Sequence, residues 1–378
     1  MSLFLATFFL VYGGMHLYAF RKAGAALRLS LPVRIGLGLF MAVMVAAPVL
    51  VRLLETGGFG RPARWLSLGG YSWLGLLFLF VSAGLLVDFL RLSLFLSRRL
   101  AGRPRWRPTP RLQLFLPLVA AAAIFAYGSF EARDIRAEHL EIATAKKLPP
   151  GMARFRIVQI SDVHLGLIVR EERLAKILAI VRAAKPDMLV STGDLVDGQL
   201  NGLSGLARML AAVKPPYGKF AVTGNHEFYA GLAQALGFTR QAGFTILRQQ
   251  GTTVAGLLNV AGVDDPTAFA FGWQEPIDEP GLLASLPRGR FTLLLKHRPR
   301  MEKASLGLFD LQLSGHTHGG QIFPFSLVTG LLYPVQAGNQ AEAGSLLHVS
   351  RGSGTWGPPI RFLAPPEVTI IDLVHAPA

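Results

Sequence analysis

The feature that most constrains this chain is an uneven distribution of apolar residues. Four long apolar stretches occupy about residues 3–20, 35–54, 66–90 and 112–130. Each approaches the ~20 residues that a helix needs to cross the hydrocarbon core of a bilayer. After residue 130 the apolar runs are short, and turns marked by Gly and Pro separate them. The pattern predicts an N-terminal all-α module of four transmembrane helices over residues 1–130, followed by a globular domain.

The net charge divides at the same boundary. Residues 1–130 carry 14 Lys and Arg against only Glu55 and Asp88, whereas residues 131–378 carry 24 Lys and Arg against 21 Asp and Glu. Of the total charge of +15, +12 therefore belongs to the first segment and +3 to the second. A nucleic-acid-binding surface would concentrate basic residues on the globular domain. We therefore expect a lipid bilayer as a partner and no nucleic acid.

The basic residues between the apolar stretches predict an orientation. The first loop holds Arg21, Lys22, Arg28 and Arg34, the second Arg52, Arg61 and Arg64, and the third Arg91, Arg98, Arg99, Arg103, Arg105, Arg107 and Arg111. Because Lys and Arg are enriched in cytoplasmic loops, loops one and three are predicted to be cytoplasmic. Both termini then lie outside, with the C-terminal domain on the periplasmic or extracellular side of a bacterial inner or plasma membrane. The chain has no cysteine, which excludes disulfides and thiolate metal sites.

Strand-like and helix-like runs alternate in the C-terminal part. Residues 131–153 read as a linker with an edge strand around 139–143, and residues 154–378 as the main domain. The predicted strands lie at 155–160, 187–192, 219–223, 291–295, 311–313, 346–350 and 368–373. The predicted helices lie at 171–185, 203–213 and 230–242. A β-α-β beginning and a strand-rich end indicate an α/β domain of two packed mixed β-sheets flanked by helices.

Five short polar motifs follow strand-like runs in this domain. They are Asp162-Val163-His164, Gly193-Asp194, Gly224-Asn225-His226-Glu227, His297, and Gly315-His316-Thr317-His318. Since each lies at the end of an apolar run, we expect a folded sheet to gather them at one edge. As candidate metal ligands, these motifs offer two carboxylates, one amide and four imidazoles, with one histidine left over. Such a donor set suits a two-metal hydrolytic site, in which cations ~3.5–4 Å apart clamp a phosphoryl group and activate water.

In this order, the five motifs resemble those of the calcineurin-like metallophosphoesterases. The run from Gly315 to Gln321 and the segment 349–367 look most like the bacterial membrane-associated branch, which includes transmembrane proteins with a C-terminal metallophosphoesterase domain. The resemblance covers about residues 154–378 and implies the metallophosphoesterase β-sandwich. Some relatives hydrolyse lipid-linked pyrophosphates.

The resemblance also implies a set of metal ligands. Asp162, His164 and His318 would bind one divalent ion. Asn225, His297 and His316 would bind the other, and Asp194 would bridge both. Oxygen and nitrogen ligands suit Mn, Fe, Zn or Mg. With two divalent ions, two carboxylates and a bridging hydroxide, the site would keep a positive charge that attracts phosphate.

His226 is the histidine left over. The resemblance places it near the leaving group, where it would protonate the departing oxygen or stabilise the phosphoryl charge. Glu227 would then hold the other ring nitrogen of His226. The alternative is that His226 only caps its loop through a hydrogen bond. The implied reaction is attack of a metal-activated hydroxide on phosphorus, with Asp194 and His226 as the catalytic residues.

Two further features of the sequence each allow two interpretations. Residues 322–328, 330–334 and 269–273 are apolar and aromatic, so they would either dip into lipid and hold acyl chains or pack over the domain's own core. Arg351 and Arg361 would either contact a phosphate or tie down their Gly- and Pro-rich segment.

We interpret the chain as a membrane-anchored binuclear phosphoesterase. Its expected substrate is a phosphodiester or pyrophosphate in a lipid or cell-envelope molecule. The alternatives are a ligand-binding or transport membrane protein with a non-catalytic phosphoesterase-like domain, or a nuclease. The sequence does not indicate an oligomeric state.

Overall fold

The computed structural model describes residues 2–102, 108–148, 152–198, 202–256, 258–273 and 276–376. The chain divides into two compact units. One comprises Met1–Phe130 with Gly357–Ile360, and the other Glu131–Trp356 with Arg361–Ala378. Three arginines of the third predicted loop, Arg103, Arg105 and Arg107, lie outside the described residues.

The first unit is helical, as its composition predicts. Its helices are α1 (Ser2–Leu27), α2 (Leu31–Thr56), α3 (Gly60–Leu100) and α4 (Pro110–Glu131). By length and composition, α2, α3 and α4 can cross a membrane. The helices extend beyond the apolar stretches because Arg and Lys favour helix as much as Leu does, so hydropathy does not mark their ends. At 41 residues α3 is ~60 Å long, about twice the hydrocarbon thickness of a bilayer.

The polar side chains within the helical unit are paired with one another. His16 Nδ1 lies 2.8 Å from the Tyr12 carbonyl, and Trp73 Nε1 donates to His16 Nε2 at 2.9 Å. The carboxylate of Asp88 accepts hydrogen bonds from Tyr18 and Lys22. His16 and Asp88 therefore join α1 to α3.

The second unit contains two six-stranded mixed sheets, which confirms the predicted fold class. In spatial order, sheet one consists of β1 (Arg136–Thr144), β12 (Glu367–His375), β2 (Arg154–Ile160), β3 (Met188–Ser191), β4 (Lys219–Ala221) and β5 (Thr245–Ile246). Sheet two consists of β10 (Gly338–Glu342), β11 (Ser345–Val349), β9 (Leu311–Ser314), β8 (Phe291–Leu295), β7 (Leu258–Gly262) and β6 (Gln250–Val254). Strands β2 to β5 are parallel, and so are β7, β8, β9 and β11.

Strand β1 is the edge strand expected within the linker. It pairs in parallel with β12 over nine residues, from Arg136 with Glu367 to Thr144 with His375. Strand β12 then pairs antiparallel with β2. The last strand of the chain therefore lies between two earlier ones.

Successive side chains of a strand point to opposite faces of its sheet, so the strands of sheet one contribute to two apolar cores. From β2, Phe155 and Ile157 face the apolar layer between the sheets, where residues such as Leu293 and Leu311 of sheet two meet them. Val158 and Ile160 face the other way, against a core that includes Leu178. A strand that is buried on both faces reads as a nearly continuous apolar run, which is why the sequence located β2 and β3 closely.

Seven helices flank these sheets. They are α5 (Glu171–Ala184), α6 (Ser204–Ala211), α7 (Asn225–Ala230), α8 (Leu232–Gln241), α9 (Thr267–Ala270), α10 (Glu279–Ala284) and α11 (Phe325–Leu332). In α5, Leu174, Ile177, Leu178 and Val181 are fully buried, as their helical spacing predicts. The helix predicted at 230–242 corresponds to α8, and Gly231, whose φ of 102° only glycine adopts readily, separates it from α7.

Candidate metal centre

All five motifs lie just beyond the carboxyl ends of parallel strands. Asp162 and His164 follow β2, Asp194 follows β3, and Asn225 and His226 form the first turn of α7 after β4. In sheet two, His297 follows β8, while His316 and His318 follow β9. Because the carboxyl ends of neighbouring parallel strands share one edge, every predicted site residue comes together there.

The first donor group contains Asp162, His164 and His318. Their ligand atoms all lie within 4.8 Å of one another. Nε2 of His164 is 3.1 Å from Nε2 of His318, which in turn is 3.5 Å from Oδ1 of Asp162. The Asp162 carboxylate also accepts the backbone N–H of His316, so the turn after β9 is fastened to the loop after β2.

The second donor group contains Asp194, His297 and His316. Nε2 of His297 lies 3.2 Å from Oδ2 of Asp194 and 3.1 Å from Nδ1 of His316. Oδ1 of Asn225 is 3.2 Å from the same His297 nitrogen. Asp194 belongs to a further group with His164 and His226, which places its carboxylate between the other two groups.

Backbone strain is concentrated at these positions. Asp162, His164, Asp194, His316 and His318 all have left-handed φ values, between 50° and 72°. Such values are uncommon for residues other than glycine and cost ~1–3 kcal/mol each. We infer that the sheets around them stabilise the strained turns because these turns aim the five side chains at one point.

Gly193 and Gly224 allow the loops after β3 and β4 to touch. A Cβ atom on Gly193 would lie 2.6 Å from the backbone nitrogen of Gly224. A Cβ atom on Gly224 would overlap the carboxylate of Asp194. Both glycines are therefore needed for Asp194 to reach the centre of the site.

Burial, together with nearby charges, keeps the imidazoles of His316 and His318 neutral. Burial, together with the charge of nearby His297, lowers the pKa of His316 to about 3. Burial and Arg361 hold the pKa of His318 well below its usual range. Burial also disfavours a proton on His297, but Asp194 and Asp162 outweigh it and raise its pKa to about 10. Neutral imidazoles in contact with carboxylates are the form in which these groups bind cations.

The tautomer of His297 gives a direct test of whether a metal ion fits. Nδ1 of His297 lies 2.8 Å from the carbonyl oxygen of Thr192, which can only accept a hydrogen bond. Nδ1 therefore carries a proton, and Nε2 is the nitrogen that faces Asp194 and Asn225, where a bound cation would displace the second proton. Second hydrogen bonds of this kind orient metal-binding histidines in proteins. The residues present thus fit a divalent cation.

Glu227 does not hold the His226 ring, so that prediction was wrong. Its carboxylate accepts the backbone N–H groups of Gly224, Asp194 and Leu195 at 2.6, 3.0 and 2.8 Å. Glu227 lies on the first turn of α7, where a carboxylate pairs readily with unsatisfied backbone donors. It therefore fixes the loop that carries Asp194.

Asp197 takes the place that the sequence assigned to Glu227. Its Oδ1 lies 3.0 Å from Nδ1 of His226 and 3.3 Å from Nδ1 of His164. Burial raises the pKa of Asp197, but its contacts with the two histidines outweigh this and lower it. Burial opposes a proton on His226, and Asp194 and Asp197 overcome that to raise its pKa to about 9. A second carboxylate three residues after Asp194 was the available signal for this role.

We predict that Asp197→Asn lowers kcat about 10–100-fold, the range typical for partners that orient metal-site residues. An amide cannot supply a full negative charge to two histidines. Combining it with His226→Gln should give less than the product of the two separate losses, because part of the Asp197 effect acts through the His226 ring. Steady-state kinetics would measure this. Asp187→Asn, which changes a carboxylate before β3 that accepts the Arg156 backbone N–H, is the matched control. Fully additive losses would contradict the positioning role.

Arg361 is fully buried beneath the first donor group. Its guanidinium donates to the carbonyl oxygens of His318, Arg351, Gly354 and Ala364, and Nη2 lies 3.1 Å from Nδ1 of His318. Burial and the nearby Arg173 lower its pKa to about 9. Arg351 instead pairs with Glu138 and Glu367. Of the two interpretations from sequence, the geometry favours tying the segment down.

We expect Arg361→Gln to weaken metal binding about 10–100-fold, because the shorter side chain leaves buried carbonyls unpaired and releases His318. Calorimetric titration of the full chain with Mn²⁺ would measure the effect. Arg351→Gln, in the same segment but paired with carboxylates outside the donor groups, should leave the affinity near that of the parent. Equal losses in the two variants would show that only the segment's stability matters.

Comparison with known proteins agrees with this fold and donor set. Residues 155–320 match the model of the calcineurin-like phosphoesterase family. A metallophosphoesterase of Aquifex aeolicus is 41% identical over 67% of this chain and 97% of its own length. One from Campylobacter jejuni is 33% identical over 70% of each chain. A transmembrane protein with a metallophosphoesterase domain from Danio rerio is 31% identical over 83% of this chain and 75% of its own.

The fold and the site therefore define a metal-dependent phosphoesterase. More particularly, the chain belongs to the calcineurin-like metallophosphoesterase family. Both expectations from the sequence are confirmed. Its apolar helices, and its similarity to a transmembrane relative, associate it with a membrane.

Proposed function

We propose that this protein is a membrane-anchored phosphoesterase with a binuclear metal centre that cleaves a phosphodiester or pyrophosphate of a lipid or cell-envelope molecule. One observation carries the proposal: two donor groups adjoin each other, and Asp194 lies between them. Two bound divalent cations would supply Lewis acidity to the phosphoryl group and acidify water.

Under this proposal each ligand has a distinct place. Asp162, His164 and His318 hold one cation, and His297, His316 and Asn225 hold the other. The carboxylate of Asp194 has two equivalent anionic oxygens, so it can bind both cations at once. The cations are Mn, Fe, Zn or Mg, which oxygen and nitrogen donors accommodate.

His226 is the proposed general acid. Its ring faces that of His164 at 4.6 Å, and Asp197 fixes its Nδ1. A protonated His226 can donate to the departing oxygen, and its charge can stabilise the phosphoryl group before transfer. Asp197 thereby orients the ring and favours its protonated form.

Aromatic side chains around His226 support a substrate with an apolar part. The rings of Tyr229 and Trp356 lie 5.3 and 5.8 Å from the His226 ring, and both are about half exposed. Phe271 adjoins Tyr229 at 5.9 Å. An aromatic rim beside a cationic centre suits a molecule with a phosphate and an apolar group.

The membrane anchoring is part of the proposal. The loop charges of the helical unit support an orientation in which several helices cross a bacterial inner membrane and the C-terminal domain lies on its periplasmic or extracellular side. A protease that digests this domain in intact spheroplasts would support that orientation. Protection from the protease would contradict it.

The full chain in detergent provides the test of the reaction. We expect it to hydrolyse bis-p-nitrophenyl phosphate and p-nitrophenyl phosphate when Mn²⁺ is added, and not after chelation. A preference for the first compound would assign a diesterase. A chain that binds two ions and hydrolyses neither compound nor any lipid phosphoester would instead be a ligand-binding protein. Hydrolysis of DNA or RNA at comparable kcat/KM would favour the nuclease alternative.

A further inference from the structure

Helix α11 is an apolar surface that the domain does not cover. None of its eight residues, all of them described, is buried. Leu327, Val328, Leu331 and Leu332 are 65, 51, 83 and 62% exposed. The sequence left open whether residues 322–334 pack over the core, and for this helix they do not. Exposed clusters of large apolar side chains mark interaction surfaces.

Charge is absent from this part of the chain. No Asp, Glu, Lys or Arg occurs between Asp310 and Glu342. A helix on an ordinary water-facing surface alternates apolar with charged residues, whereas α11 does not. Its composition is that of a segment transferred out of water.

The helix is joined to the metal centre at both ends. It begins five residues after the turn His318–Gly320, and a Cβ atom on Gly320 would collide with Ser326. At its other end, the buried ring of Tyr333 lies 5.1 Å from the ring of His316. The position of α11 is therefore fixed relative to two of the proposed ligands.

A basic residue borders the helix. The guanidinium of Arg300 lies 5.3 Å from the centre of the Tyr333 ring and donates to the Leu332 carbonyl at 3.4 Å. The residue is exposed. An exposed arginine beside exposed leucines is a combination found where proteins enter the headgroup region of a membrane.

The tether of this domain limits which partner can reach the surface. Only residues 132–135 separate α4 from β1, which allows at most ~14 Å of extended chain. If α4 spans a bilayer, as its length and composition allow, the domain never leaves that bilayer's surface.

We propose that α11 inserts into the lipid bilayer and holds the metal centre at the level of the phosphate headgroups. This rests on the membrane anchoring under the proposed function and adds the surface through which the domain meets lipid. A helix of eight residues is ~12 Å long and lies flat in the interface, with its leucines among the upper acyl chains. A phosphoester in the headgroup layer then reaches the donor groups without leaving the membrane.

Depth-dependent quenching of fluorescence tests the proposal. Because the chain has no cysteine, Leu327→Cys and Leu331→Cys each provide one labelling site for an environment-sensitive fluorophore. Gln241→Cys, at the exposed end of α8, is the matched control. Each full-length variant is placed in vesicles of phosphatidylethanolamine and phosphatidylglycerol and quenched either by brominated acyl chains or by aqueous iodide. Unchanged circular dichroism establishes that each variant is folded.

We expect brominated lipid to quench the α11 labels several-fold more strongly than it quenches the Gln241→Cys label. Iodide should quench the Gln241→Cys label more strongly than the α11 labels. Iodide quenching equal to that of the control would overturn the proposal. Protection of the α11 labels from iodide that persists in detergent and rises with protein concentration would overturn it too. A second copy of the chain, and not lipid, would then cover the helix.

The outcome for α11 can be separated from that for catalysis. Labels buried in lipid on a chain that cannot hydrolyse phosphoesters would leave the insertion standing and remove the proposed reaction. Hydrolysis by a chain whose labels face water would do the opposite.

Discussion

Asp194→Asn is expected to lower kcat for bis-p-nitrophenyl phosphate by more than about 100-fold. Changes to residues that only support metal ligands already cost 10–100-fold, so loss of the central carboxylate should cost more. An amide presents one neutral oxygen in place of two anionic ones and cannot hold two cations together. Metal analysis of the purified chain should show a fall from two ions per chain towards one.

The control for this variant lies on the loop after β7. Asp264 is equally buried but pairs with Arg248 and Thr223. Asp264→Asn should keep the metal content even if it lowers the thermal stability. Retention of two ions and of parent-like turnover in Asp194→Asn would contradict the bridging role proposed for Asp194.

His226→Gln is expected to lower kcat about 10²–10⁴-fold, the contribution typical of a positioned general acid. The loss should be larger for alkyl phosphodiesters than for p-nitrophenyl esters, since an alkoxide needs a proton on departure and a nitrophenolate does not. Kinetics on one aryl and one alkyl substrate that the parent hydrolyses would measure the difference.

The number of bound metal ions distinguishes a general-acid role of His226 from a role as a metal ligand. A His226 ring nitrogen falls in one donor group with His164 and Asp194, so the geometry also permits it to bind an ion. As a general acid, its replacement leaves two ions in place. Loss of an ion, or equal losses on aryl and alkyl substrates, would assign His226 to the ligands instead.

The sequence predicted the gathering of the site because the relevant information is local. Asp162, Asp194 and His297 each follow a run whose apolar character marks a buried strand. Parallel strands bring such positions to one edge of their sheet, and the packing of the two sheets then brings the two edges together. The strand ends and the family resemblance were therefore enough to predict that the donor residues lie together.

Contacts between distant segments were not predictable in this way. Arg361 lies 43 residues beyond His318, and only the fold shows its guanidinium buried against that carbonyl. Asp197, to which the sequence assigned no role, contacts His226 in place of Glu227, whose carboxylate accepts backbone N–H groups. Both residues were near the motifs, but sequence spacing does not fix side-chain direction.

The sequence also did not predict the strand β10 or the exposed position of helix α11. Strand β10 is mostly exposed and reads Gly-Asn-Gln-Ala-Glu, so it lacks the alternation that marks a strand. In α11, a run of apolar residues indicated burial in general and could not distinguish a protein core from a lipid. The sequence therefore identifies which segments are buried from water more readily than it identifies what buries them.

The placement of β12 has a consequence for how the protein is made. This strand lies between β1 and β2, although more than 200 residues of chain separate it from either along the sequence. A ribosome must synthesise the chain through His375 before the two early strands acquire their shared neighbour. Until then both present unpaired edges. Nascent chains stalled before residue 367 should therefore depend on chaperones, and a short C-terminal deletion should damage the start of the domain as much as its end.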